Sequence, residues 1–157
     1  MSVAAIAAAV VDVVEAVSGV QNVYEEEPTA LDRALAREQR IDADGRLHFW
    51  HVHLSELPPA GGIGYVELRH RVTVEGFIGV SRDAPANGVK SDVLARRLLS
   101  AVTYALAKPA NIGLAGTALG SQDVTPEPLR IVKVNLDGEV HPAHRLAVTY
   151  TVSEDAT

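Results

Sequence analysis

The sequence predicts an α+β domain: a mostly antiparallel β-sheet with two main helices packed on one face. Three observations carry this expectation. Two segments repeat apolar residues at three- and four-residue intervals, the period of a helix. Several others alternate apolar and polar residues one by one, the period of a strand. Asp-Gly turn signals stand beside the alternating segments, as hairpins require.

Ser2 is placed to cap a first helix reaching about Val17. Val3, Ile6, Val10, Val13, Val14 and Val17 form its stripe, with Asp12 and Glu15 on the other side. Gly19 ends it. A short strand is expected over 20–24, before the acidic EEEP run at 25–28 breaks the chain. Thr29, with Asp32 three positions on, resembles a capping box for a short helix or ordered loop over 29–40. Asp44-Gly45 marks a turn. From Leu47 to Leu54 the chain alternates, with Trp50, Val52 and Leu54 on one face and Phe49, His51 and His53 on the other. PPAGGIG at 58–64 reads as a flexible connector.

The longest alternation follows, over 66–80. Its even positions are apolar apart from His70 and Gly76, and its odd positions include Glu67, Arg69, Arg71 and Glu75. Fifteen residues at ~3.3 Å each run about 50 Å, beyond the usual strand of ~3–10 residues. Such a strand must bend, or run past its own domain and meet something. DAPANG at 83–88 reads as a loop. Ser91 is expected to cap a second helix with the stripe Leu94, Leu98, Ala101, Val102, Ala105 and Leu106, stopped at Lys108-Pro109. The Gly-, Ala- and Pro-rich stretch 109–128 reads as a long loop. Strands are expected over 129–136 and 145–152, with the Asp137-Gly138 turn and a connector holding Pro142 between them.

Length and composition bound the function. A chain of 157 residues makes one domain, 1–157, large enough for a core. It is 47% hydrophobic with mean hydropathy +0.09, so it is neither disordered nor strongly polar. Alanine and valine dominate and aromatics are only 4%. Small side chains gain less from burial, which makes oligomerisation a plausible supplement. A net charge of −6 and a pI near 5.4 argue against a general nucleic-acid or anionic-membrane binder. The absence of cysteine excludes disulfides, Cys-ligated zinc and Cys nucleophiles. The apolar N-terminal run lacks a basic n-region and is interrupted by Asp12 and Glu15. No stretch reaches the ~20 apolar residues of a membrane helix. The expectation is a soluble, intracellularly assembled protein.

The densest chemical signal is HFWHVH at 48–53, since histidines are common metal ligands. On a strand His51 and His53 share a face, while His48 points the other way. A third ligand would have to come from His70, His141, His144 or a carboxylate, and nothing in the sequence requires one. The spacing favours a half-buried strand with polar and aromatic tips over a small metal-dependent enzyme using His51 and His53. His70 reads as a hydrogen-bonded core histidine or as the point where the long strand leaves the core. No serine sits in a G-x-S-x-G elbow, and GGIG lacks the lysine and spacing of a phosphate loop. No enzyme, cofactor or metal is expected. The acidic run at 25–27, opposed by Arg33, Arg37 and Arg40, reads as solvated or as pairing across a subunit boundary.

In layout the chain resembles the tail-terminator (tail-completion) proteins of long-tailed bacteriophages. The resemblance rests on an Ala-rich N-terminal helix, the GVQNVY segment and the tryptophan-bearing strand HFWHVHL. The charged strand ELRHRVTVEGFIGV, the helix SDVLARRLLSAVTYALA and the final HRLAVTYTV complete it. These are patterns of element and composition covering most of the chain. The resemblance implies a virion protein that forms a ring, usually a hexamer. Such a ring caps the head-proximal end of the tail tube, ends its polymerisation and offers a head-joining surface. Implied partners are further copies, the major tail tube protein, a head-completion or connector protein, and genomic DNA passing without sequence-specific binding; no catalysis is implied. Another neck or head-completion protein is the alternative. Glu67, Arg69, Arg71, Glu75, Arg33 and Arg37 are the expected subunit-interface residues. A closed ring needs a head-to-tail interface, and an overlong charged strand offers one side of it.

Overall fold

A computed structural model describes residues 3–25, 39–42, 45–63, 65–81, 90–108, 120–136 and 138–155. The expected α+β architecture is present: among the described residues, two main helices pack on a six-stranded, mostly antiparallel sheet. Helix α1 spans Val3–Glu15, and β1 is the two-residue strand Val23–Tyr24. The strands β2 (His48–Gly62) and β3 (Tyr65–Gly79) form a long hairpin. Helix α2 (Ser91–Ala107) leads to β4 (Gly120–Pro126), β5 (Arg130–Leu136) and β6 (Glu139–Asp155). The segments at 29–38, 82–89 and 109–119, which carry part or all of three loop or short-helix expectations, lie outside the described residues. No described helix is long and apolar enough to cross a membrane.

The strand order is β1-β2-β3-β6-β4, and β5 also pairs with β6. Among the described strands only the short β1–β2 pair is parallel. Strands β4 and β5 lie end to end against β6: Gly120 faces Ser153, Pro126 faces Val148, Arg130 faces Arg145 and Leu136 faces Glu139. They form one strand interrupted at residues 127–129. The sheet therefore consists of two long hairpins joined through α2.

Four expectations are corrected. Residues 120–126, expected within the long loop 109–128, form strand β4 against β6. The segment 58–62 is strand, not connector. Proline is admitted because β2 is an edge: beyond His51 its outer side has no strand partner among the described residues, and the register with β3 shifts between Leu57 and Ala60. Pro142 lies inside β6 opposite Lys133. Its carbonyl accepts the Val80 N–H at 2.9 Å, so its missing N–H points to the same side, past the end of β3. Ser91 does not cap α2. Lys90 holds the cap position, and the Ser91 hydroxyl is taken by the Ser81 backbone.

Both helices cover one face, α1 over β2 and α2 over β6 and β4. The main core joins Ile6, Val10 and Val14 of α1 to Ala95, Leu98, Val102 and Leu106 of α2. Beneath them lie Trp50, Val52, Val72, Val74, Ile78, Leu146, Val148, Tyr150 and Val152 from the sheet. These are the positions that alternation assigns to one face. The even positions of β3 also explain Gly76, which sits opposite Trp50. A Cβ there would stand 2.5 Å from the indole, so Gly76 is the seat of the tryptophan and not a bend. The other face carries a smaller core at one end only: Leu47, Phe49, Leu136 and Ala143, with Phe77 stacked on Phe49 at 5.0 Å.

Candidate functional site

The second face of the sheet changes character along its length. At the Phe49 end it is buried. Toward the β2–β3 turn it carries the exposed Ser55 and Arg71. At this boundary three side chains converge. His51 and His53 project from β2 two residues apart, and Glu75 projects from β3 directly opposite His51. One ligand-type atom from each lies within 4.8 Å of the others. Glu75 Oε1 stands 3.7 Å from His51 Nε2 and 3.5 Å from His53 Nε2. The two imidazoles meet edge to face, with centroids 4.4 Å apart. His51 is buried, whereas the His53 side chain is 40% exposed.

The carboxylate is fixed from its other side. Arg145 Nε donates to Glu75 Oε2 at 2.8 Å, and Arg145 Nη1 donates to Glu127 Oε2 at 2.6 Å. Glu127 follows the end of β4, where its N–H donates to Ala147 and continues the ladder. The neighbouring His51 and the Arg145 guanidinium hold the Glu75 carboxyl down to about 2, against the opposing effect of partial burial. Glu75 is therefore an anion at neutral pH, pointing one oxygen at two imidazoles.

The remaining buried histidines lie apart from this cluster. His48 faces the main core, opposite in sense to His51 as the strand period requires. Its Nε2 accepts the Trp50 indole N–H at 2.8 Å and its Nδ1 lies 3.7 Å from Asp42. Burial pushes its imidazole down to about 4, with Asp42 opposing and Arg46 assisting. His70 is buried at the far end of the helix-covered face, beside Val152. His144 Nε2 meets Ser91 Oγ at 3.2 Å, and burial lowers its pKa. Ser91 Oγ also accepts the Ser81 N–H at 2.9 Å and lies 3.1 Å from the Ser81 carbonyl oxygen, a second acceptor for its hydroxyl. The pair ties the end of β3 to α2 and β6. A depression of about 310 Å³ nearby is lined by Arg46, Gly79, Ser81 and His141, among others.

Of the expected interface residues, Arg71 is exposed and Arg69 half-buried on the open face of β3. Glu67 lies in β3 opposite Ala60 and Asp155. Glu75 is engaged within the chain by Arg145. Arg33 and Arg37 lie outside the described residues. The tip of the β2–β3 hairpin carries Ile63, fully exposed. Sequence reasoning found His51 and His53 but missed that Glu75 joins them, and missed Arg145 and Glu127 altogether. The signal for a β2–β3 pairing is the hairpin itself, which the connector reading of 58–64 hides, and the register shift between Leu57 and Ala60 then completes the match. No protein-family model matches this chain, and no match is found among the curated proteins.

Proposed function

We propose that this chain is a structural subunit of a phage tail. In this reading it closes into a ring at the head-proximal end of the tube, stops tube polymerisation and presents the head-joining surface. The observation that carries the proposal is the mismatch between sheet and helices. Strands of 15 to 17 residues run about 50 Å, whereas helices of 13 and 17 residues run only about 20 and 25 Å. The β2–β3 hairpin thus extends past its helical cover and ends in an exposed isoleucine. A projecting hairpin of this kind suits a head-to-tail contact, which closes into a ring when the rotation per subunit closes. Arg69 and Arg71 on the same hairpin would set register and reject wrong partners more than supply affinity. The layout shared with tail-terminator proteins supports the same reading.

Native mass spectrometry of the purified chain, alone and with tail tube protein, tests it. Closed oligomers, with six copies as the expected number, are the predicted result. A strictly monomeric particle under both conditions overturns the reading. Electron microscopy of virions lacking the protein separates it from a neck or head-completion role: abnormally long tails are expected only for a terminator.

A further inference from the structure

We propose that His51, His53 and Glu75 form a binding site for a divalent transition ion of the zinc type, with one coordination position left open to solvent. The geometry carries this. The two Nε2–Oε1 separations, 3.5 and 3.7 Å, are too long for hydrogen bonds. They are close to the spacing of two ligand atoms around a shared ion, about 3.3 Å for tetrahedral bonds of ~2.0–2.1 Å. A second, independent observation concerns His51. Its ring is buried, its Nδ1 has no hydrogen-bond partner among the described residues, and its Nε2 faces the carboxylate across that overlong gap. A buried imidazole whose Nε2 meets a carboxylate only across such a gap is an unusual native feature. An ion at Nε2 would give it a strong partner.

The surroundings fit a cation. Arg145 holds Glu75 Oε2, which turns Oε1 toward the imidazoles, as outer hydrogen bonds orient metal ligands. The guanidinium charge is in turn countered by Glu127, so Glu75, Arg145 and Glu127 together keep one net negative charge. Two imidazoles and one carboxylate form the donor set that zinc uses where it retains an exchangeable position. The half-exposed His53 places that position toward solvent. The inference stands apart from the ring reading and holds for a monomer or a ring.

Isothermal titration of the chelator-treated full chain with Zn²⁺ tests the site, with Co²⁺ as a spectroscopic probe. One equivalent of Zn²⁺ is expected to bind, the thermal midpoint should rise with added Zn²⁺, and Co²⁺ should give the intense visible bands of a tetrahedral site. His53→Gln and Glu75→Gln should each weaken binding at least ten-fold. Both keep a polar group in place, and metal-free melting curves will report whether the fold is retained. His141→Gln, at the exposed His141–Glu139 pair, should leave binding unchanged. Absence of Zn²⁺ binding, or binding indifferent to His53→Gln and Glu75→Gln, overturns the proposal.

Discussion

Gly76 and Trp50 show how one residue reserves space for another. The indole is fully buried over the Gly76 backbone, and its N–H is satisfied by His48. Gly76→Ala is expected to destabilise the fold by about 2–3 kcal/mol, because the new methyl group overlaps the ring and the packed core cannot shift freely. Thermal or urea melts will measure it, and an unchanged midpoint would refute this account of the glycine. His48 makes a second prediction. Its folded pKa, about 4, lies below the ordinary value of 6.5, so below pH 6.5 the unfolded chain takes up a proton that the folded chain refuses. The stability tied to His48 is complete above pH 6.5, falls as pH drops toward 4 and then levels off. The loss is on the order of 3 kcal/mol. His48→Gln should flatten that part of the pH–stability curve, an effect read from melts between pH 7.5 and 4. The alternation of 47–54 announced both faces, but not that the next strand supplies a hole for Trp50.

At the scale of elements, the β2–β3 hairpin is the informative one. Its length was legible as periodicity in β3. Its partner was hidden, because prolines and glycines at 58–62 carry the signature of a connector. They fit a strand here because β2 is an edge there, with no outer ladder among the described residues to interrupt. The same prolines, with the register shift beside them, blunt an edge that would otherwise invite uncontrolled pairing. If the hairpin tip seats on a neighbouring copy, Ile63→Asp should leave the melting temperature of the isolated subunit nearly unchanged. The side chain is fully exposed, and such substitutions usually fall within ~0.5 kcal/mol. Oligomers should nevertheless disappear from native mass spectra. Persistence of the ring in this variant would place the contact elsewhere. Recognising the hairpin is not sufficient by itself: the register shift between Leu57 and Ala60 brings His51 opposite Glu75 instead of Gly76.

For the whole molecule, the two faces of the sheet have different fates. One is sealed by α1 and α2 with aliphatic side chains. The other is sealed only at the Phe49 end and opens toward the hairpin turn. The His51–His53–Glu75 cluster sits where burial gives way to solvent, the place where a group can be held rigidly and still be reached. The ring proposal and the metal proposal use different parts of this open face, Ile63, Arg69 and Arg71 for the first and the cluster for the second. Their tests can therefore fail separately.

The class of fold, the two main helices and the core-facing residues of β3 and β6 were legible from sequence alone. These follow from local periodicity, because a side chain's face depends only on its position along its own strand or helix. The same periodicity sends His51 and His53 to one side and His48 to the other. That Glu75 stands opposite His51, that Arg145 and Glu127 brace it, and that Gly76 cradles Trp50 emerge only in the folded chain. These depend on strand register, which is set by the hairpin turn and by the packing of both faces at once. That information is shared between segments distant in the chain and is present in neither alone.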